Sequence, residues 1–230
     1  MNEELKKKLE YAHRILHMEG LAEDSSRGHI TARGSDGRFY IKPWGVGFED
    51  VMAEEFQGLD LDRNLLEGKG RVHSELILHL EIYRRRPEVF SVAHVHPLHS
   101  VIFSSVFKGK MHILSQYGVR FWAKVPILPS AELIQTKKQA EKLAKALGSG
   151  PAIMMRNHGI TVVGESIEET VILALHFEKA AKDNLMALRV GKPTGIPLAM
   201  AKKLSDNNYN PAQFKMIWEY YCKKFDRQKA

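Results

Sequence analysis

At 230 residues, with 44% hydrophobic and 27% charged side chains, the chain has the length and balance of one soluble α/β domain rather than a disordered or membrane-embedded protein. Its net charge of +7 is scattered over Lys6-Lys7-Lys8, Arg84-Arg85-Arg86, Lys137-Lys138 and Lys223-Lys224 with no aromatic-interleaved stripe, which argues against nucleic acid and leaves a small anionic substrate as the expected partner. The single cysteine, Cys222, excludes an intrachain disulfide and a cysteine-rich metal site, and the absence of a signal-like or membrane-length apolar run points to a cytoplasmic protein without a membrane partner.

Residues 3–19 carry Leu5, Leu9, Ala12, Ile15 and Leu16 at helical spacing, and Gly20 is placed to end that helix. His13 and His17 lie four apart on it, but no glutamate stands between them in the H-E-x-x-H manner, so a surface or helix-packing role is the expectation for both. The stretch Asp24-Ser25-Ser26-Arg27-Gly28-His29 leads into short strands around Ile30 and Phe39–Ile41, joined by the hairpin-type turn Gly34-Ser35-Asp36-Gly37. Gly28 and Gly45 each border a strand. Glycine there serves a turn or lets a backbone N–H approach a ligand. A strand over Glu55–Asp62 follows. A strongly amphipathic helix then opens at His73-Ser74-Glu75 and runs through Tyr83, with Ser74 or His73 near its N-cap and Glu75 in its first turn.

The stretch Phe90-Ser91-Val92-Ala93-His94-Val95-His96-Pro97 organises the rest. In a strand, side chains alternate faces, so His94 and His96 point the same way, about 7 Å apart along the strand, and are able to share one divalent metal. Pro97 stops the ladder and puts the pair at a strand end, where sites are usually found. The helix before this strand is placed to bring Glu75 to the pair.

Val101–Phe107 is expected as a helix, Gln116-Tyr117-Gly118 as a turn, Val119–Leu128 as a strand region and Ala131–Leu147 as an amphipathic helix ending at Gly148. Residues 151–163 make two apolar strands around the polar turn Asn157-His158-Gly159, which packing does not explain and which marks His158 as a site residue. Ser166-Ile167-Glu168-Glu169 is a capping box that starts a long helix to about Arg189, with His176 on it expected as a packed or surface residue, not a ligand. Beyond lie Pro193, Gly195 and Pro197, a polar turn Asp206-Asn207-Asn208, and a terminal helix carrying Trp218, Tyr220 and Tyr221, for which core packing is the expectation.

A glutamate opening a helix, H-x-H-P about twenty residues later and N-H-G about sixty further on resemble the class II aldolase/adducin family. Further matches are Gly28-His29-Ile30-Thr31-Ala32-Arg33, Lys42-Pro43-Trp44-Gly45, His79 and Pro87-Glu88-Val89, so the resemblance spans about residues 5–190. It implies a three-layer α/β/α fold with a central, largely antiparallel sheet, taken here as a single domain over residues 1–230 with a C-terminal tail from about residue 191. It implies a divalent metal, zinc foremost with manganese, cobalt or iron as alternatives, held by His94, His96 and His158. Glu75 matches the acid/base, which also ligates the resting metal, and His79 matches a structural histidine. The family pattern is a homotetramer with sites at subunit boundaries and a tyrosine from the neighbour as proton donor, for which Tyr117 is the candidate.

The departures bear on substrate. Phosphate-binding members of the family carry Gly-Asn, Ser-Gly and Ser-Ser where this chain has Gly28-His29, Trp44-Gly45 and His73-Ser74, the expected substrate-binding positions. Compact donors have given way to two imidazoles and an indole, which suit a carboxylate and a flat ring. The expectation is a metal-dependent carbon–carbon lyase that stabilises an enolate, favoured as a decarboxylase of a hydroxy- or oxo-carboxylate, with aldol cleavage of a ketose phosphate as the alternative. A non-catalytic adducin-like interaction module is a further alternative, and it would expect broken metal ligands.

Overall fold

The computed structural model describes residues 2–22, 26–107 and 111–229; Asp24 and Ser25 of the first loop lie outside them. Helix α1 (Asn2–Met18) turns Leu9, Ala12, Ile15 and Leu16 inward and stops at Gly20, whose φ is +76°. The Gly20 N–H reaches the His17 carbonyl and the Leu21 N–H the Leu16 carbonyl, the paired bonds that close a helix on a left-handed residue.

Strands β1 (His29–Arg33), β2 (Phe39–Ile41), β3 (Gln57–Leu59), β4 (Leu65–Glu67), β5 (Ser91–Val95), β6 (Ile127–Leu128), β7 (Ala152–Met155) and β8 (Gly159–Gly164) form one sheet in the order β4-β3-β2-β1-β5-β8-β7-β6. Every pairing is antiparallel except β6–β7, so the sheet is mixed but largely antiparallel, as the resemblance implies. The alternation of side chains sorts two cores. Ile30, Ala32, Ala93, Val95, Ile160 and Val162 pack against α1, α5 (Ile167–Val190) and α7 (Pro211–Lys229). Phe39, Ile41, Val92, Ile153, Met155 and Val163 pack against α2 (Leu76–Arg85) and α4 (Lys137–Leu147). The same parity turns His29, Thr31 and His94 to the α2 side of the sheet. His29 pairs with His94 and Thr31 with Val92 across β1 and β5, so the histidine strand lies at the middle of the sheet with its polar end beside the start of α2.

Several sequence expectations need correction. The strand over Glu55–Asp62 shrinks to Gln57–Leu59, preceded by a 3-10 turn Ala53–Glu55, and its partner β4, a short edge strand, was not foreseen. Val119–Leu128 is mostly not strand: Gln116–Phe121 winds as a 3-10 helix and only Ile127–Leu128 pairs. The helix expected from Ala131 begins at Lys137, because Thr136 caps it and exchanges bonds with Gln139 in a capping box. Ser166 does cap α5, but the Glu169 carboxylate accepts from the Glu165 N–H instead of closing the box. Asp206-Asn207-Asn208 is the last turn of α6 (Leu198–Asn208), not a loop. In α7, Trp218 and Tyr221 are buried as expected while Tyr220 is 61% exposed.

Candidate active site

β5 ends in the H-x-H pair and the turn between β7 and β8 adds His158, whose neighbour Asn157 takes φ +57°. One ligand atom from each of His94, His96 and His158 lies within 4.8 Å of the others. The His96 and His158 rings stack at 5.1 Å, and both stand edge-on to His94. His94 Nδ1 is 3.0 Å from the Ile160 carbonyl, which only accepts, so Nδ1 carries the proton and Nε2 the lone pair that faces the cluster. That Nε2 is 3.1 Å from His96 Nε2. Two nitrogens on one tetrahedral ion at ordinary bond lengths stand about 3.3 Å apart. Tautomer, spacing and donor type therefore fit a divalent ion of the zinc kind. Gly159 opens β8 with no room for a side chain, since a Cβ would stand 2.6 Å from His96 Cδ2 and from the Val95 carbonyl.

Glu75 is itself the N-cap of α2, which therefore starts later than a cap at Ser74 or His73 would set it, yet its carboxylate does not cap its own helix. Oε1 accepts from the Ile134 N–H at 2.8 Å. This turns the carboxylate toward the cluster, with Oε1 4.0 Å from His158 Nε2 and Oε2 4.0 Å from His94 Nε2. Burial raises its pKa above the usual carboxylate range, against the pull of the Ile134 N–H and of His96.

The remaining sequence-predicted residues stand beside the cluster, the His29 ring 5.5 Å from that of His94. Gly28, at φ +70°, lets the loop ride over β5; a Cβ there would meet the His94 carbonyl at 3.0 Å. His29 is buried, and its Nδ1 lies 2.8 Å from His79 Nε2. His79 Nδ1 is in turn 2.8 Å from Thr31 Oγ1, which is 2.8 Å from Tyr83 Oη. Burial, reinforced by neighbouring imidazoles, holds His29 well below the usual histidine range and pushes His79 to about 3. His73 is engaged on both nitrogens. Fully buried Lys42 donates to its Nε2 at 3.2 Å, so the ring proton sits on Nδ1 and is taken by the Pro43 carbonyl. Burial and the Lys42 ammonium push His73 to about 3. Lys42 also donates to the Ser26 and Val46 carbonyls and so ties both loops together. Trp44 is half exposed, with the Arg71 guanidinium 4.3 Å over its ring; Gly45 beside it has φ +87°; Ser74 Oγ accepts from Gln135 Nε2.

These groups surround a cavity of about 630 Å³ that Gly28, His29, Trp44, His73, Ser74, Glu75, His96 and His158 all line. Sequence reasoning missed Arg27, Leu98, Val101 and Leu133 on its walls, and the Ile134 N–H that aims Glu75. The signal for the last two was the Thr136–Gln139 capping box, which makes 131–136 a loop across the site instead of a helix. Tyr117 does not line this cavity. Its ring packs on His176, with Lys179 Nζ 5.0 Å above it. His13 packs between Phe48 and Phe56, and His176 bonds Tyr209, both helix-packing roles as expected.

Residues 7–185 match the family described as Class II Aldolase and Adducin N-terminal domain. The chain belongs to the class II aldolase and adducin family. It is 30% identical over 190 residues to a 3,4-dihydroxyphthalate decarboxylase of Arthrobacter keyseri, covering 77% of this chain and 76% of that one. It is 33% identical over 171 residues to an L-fuculose phosphate aldolase of Methanocaldococcus jannaschii, covering 73% and 88%. An L-fuculose 1-phosphate aldolase from Glaciozyma antarctica shares the fold, with a TM-score of 0.87 at 24% identity over 99% of this chain and 90% of that one. This class II aldolase-family fold thus brings a three-imidazole cluster, a buried carboxylate and a partly apolar wall to one cavity. Among the described residues, no helix is long and apolar enough to cross a membrane.

Proposed function

We propose that this class II aldolase-family protein is a metal-dependent carbon–carbon lyase that decarboxylates a small hydroxy- or oxo-carboxylate, an aromatic one fitting the cavity best. The observation that carries the reading is the lining of the cavity: the Trp44 ring, Leu98, Val101 and Leu133 give it apolar surface, with His29 among its buried polar groups. A flat, anionic substrate matches that lining, and the Arthrobacter relative is named for such a substrate. Zinc bound by His94, His96 and His158 in a cytoplasmic homotetramer is part of the reading. So is the whole chain working as one domain, supported by the burial of Trp218 and Tyr221 in the core of α1 and α5.

In the reaction the bond from carbon to the carboxylate breaks, CO₂ leaves, and the electron pair stays on that carbon and spreads to the adjacent oxygen. When bound, the divalent ion supplies positive charge opposite that oxygen. Glu75, whose carboxyl group burial biases toward its protonated form, is the group placed to pass a proton to the carbon that lost CO₂. The Ile134 N–H fixes the carboxylate for that transfer, and Leu98 and Leu133 give the cavity apolar surface. Tyr117, 39% exposed on its own subunit, is proposed to serve a neighbouring copy's site.

Aldol cleavage of a ketose phosphate is the second reading, favoured by Ser26, Arg27 and Ser74 on the cavity wall. Two assays decide. Purified protein is expected to hold about one divalent ion per chain, and protein that neither holds nor takes up an ion sinks the metal-dependent reading. Loaded protein is then offered 3,4-dihydroxyphthalate, with CO₂ measured, and L-fuculose 1-phosphate, with dihydroxyacetone phosphate measured. Metal-dependent CO₂ release is the expected result; brisk cleavage of the sugar phosphate overturns the decarboxylase.

A further inference from the structure

Four side chains form a continuous buried line from the core to the cavity: Tyr83 Oη, Thr31 Oγ1, His79 and His29, each neighbouring pair separated by 2.8 Å. Thr31 and His29 stand two apart on β1, so they share a face, while His79 and Tyr83 lie four apart on α2 and face them. Hydroxyls and neutral imidazoles both donate and accept, so the line runs in one of two directions.

If His29 Nδ1–H donates to His79, then His79 Nδ1–H donates to Thr31 and the Thr31 hydroxyl to Tyr83. The Tyr83 proton is then left with the Phe90 carbonyl at 3.4 Å, at the weak end of hydrogen bonding. In the opposite direction the Tyr83 hydroxyl donates to Thr31, the Thr31 hydroxyl to His79 Nδ1, and His79 Nε2–H to His29 Nδ1. Every proton inside the core then sits in a 2.8 Å bond, the one on His79 drawn also by the Val92 backbone. The remaining proton is on His29 Nε2, on the residue that lines the cavity.

We infer that Thr31 and His79 are positioning residues that hold His29 as its Nε2–H tautomer, so that the cavity presents a neutral hydrogen-bond donor to the anionic group of the substrate. The inference rests on the reading of the cavity as an anionic substrate's site. His73 does not share the role, since Lys42 and the Pro43 carbonyl occupy its two nitrogens. Of the two imidazoles, the one left to meet the anion is therefore His29, whose donor is set from behind, through three residues that do not line the cavity.

The test is a long-range ¹H–¹⁵N correlation spectrum of the zinc-loaded full chain at neutral pH, which reports the tautomer of each histidine directly. His29 is expected with a protonated Nε2 and a bare Nδ1. Thr31→Val, which keeps the shape but removes the hydroxyl, is expected to give a mixture of His29 tautomers and about tenfold weaker binding of 3,4-dihydroxyphthalate by calorimetry. Thr31→Ser is expected to restore both. A wild-type His29 protonated on Nδ1 overturns the inference, as does an unchanged His29 spectrum in Thr31→Val. The wild-type spectrum decides alone if Thr31→Val does not fold. Absence of CO₂ release with the Nε2–H tautomer intact overturns the substrate reading and leaves the positioning of His29 standing.

Discussion

On one side of the cavity His94, His96 and His158 converge from strand ends until their ligand atoms lie within 4.8 Å. Next to them, His29 and His73 sit with ring centroids 4.8 Å apart and share no such focus. The first group is set by backbone parity and one tight turn, so its geometry belongs to the sheet. The second is set by side-chain partners behind each ring, and the partners differ: a neutral line of hydrogen bonds behind His29, an ammonium and a carbonyl behind His73. What an imidazole contributes here depends on which nitrogen its neighbours leave for the cavity, more than on its being histidine.

The largest effect should come from the histidine-cluster side. Glu75→Gln keeps the carbonyl acceptor for the Ile134 N–H but has no proton to pass on; kcat should fall by about 10²–10⁴-fold with metal content unchanged by elemental analysis. Full turnover in Glu75→Gln would remove the carboxylate from the chemistry. Beside the cluster, His29→Ala should raise KM by roughly 10–100-fold, the worth of a hydrogen bond to a charged group, with a smaller change in kcat. His73→Phe should act differently. Loss of an acceptor from buried Lys42 should destabilise by about 1–3 kcal/mol, read as a drop of about 3–10 °C in Tm, with KM moving far less than in His29→Ala. Equal KM effects for the two would erase the distinction between the rings.

Acid tests the buried imidazoles together. His13 and His79, both fully buried, are held at about 3, whereas an unfolded histidine titrates near 6.5. Below that value the unfolded chain binds protons that the folded chain refuses. Stability should therefore be full above about pH 6.5 and decline as pH falls toward 3, by roughly 1.4 kcal/mol per pH unit for each such ring. Urea midpoints measured between pH 7 and pH 5 check the sign, and His13→Gln should flatten the slope. A midpoint that rises on acidification would contradict the burial of these rings.

How much was open to sequence reasoning follows the same division. His94, His96 and His158 were legible because strand alternation, Pro97 and a polar turn between apolar strands act locally. Helix α2 and the hairpin of β1 and β2 were legible for the same reason. The N-cap at Thr136 was equally local and was passed over, because the apolar spacing of the following helix extends back to Ala131. Leu98 and Leu133 on the cavity wall were not legible: nothing in their neighbourhoods says that two loops far apart in sequence meet there. The engagement of His73 by Lys42 was hidden in the same way, since 31 residues separate them.

Gly159 carries a consequence that no ligand shares. The His96 ring edge and the Val95 carbonyl occupy the space where its Cβ would be, each 2.6 Å away. The missing methyl lets the His96 imidazole lean against bare backbone, and it would set how far that nitrogen reaches toward an ion bound there. Gly159→Ala would press on the ring and on the β5 backbone together, so its effect would spread from the spacing of the three imidazoles to the β5–β8 pairing that holds them. Its signature would be weaker metal uptake together with a lower Tm.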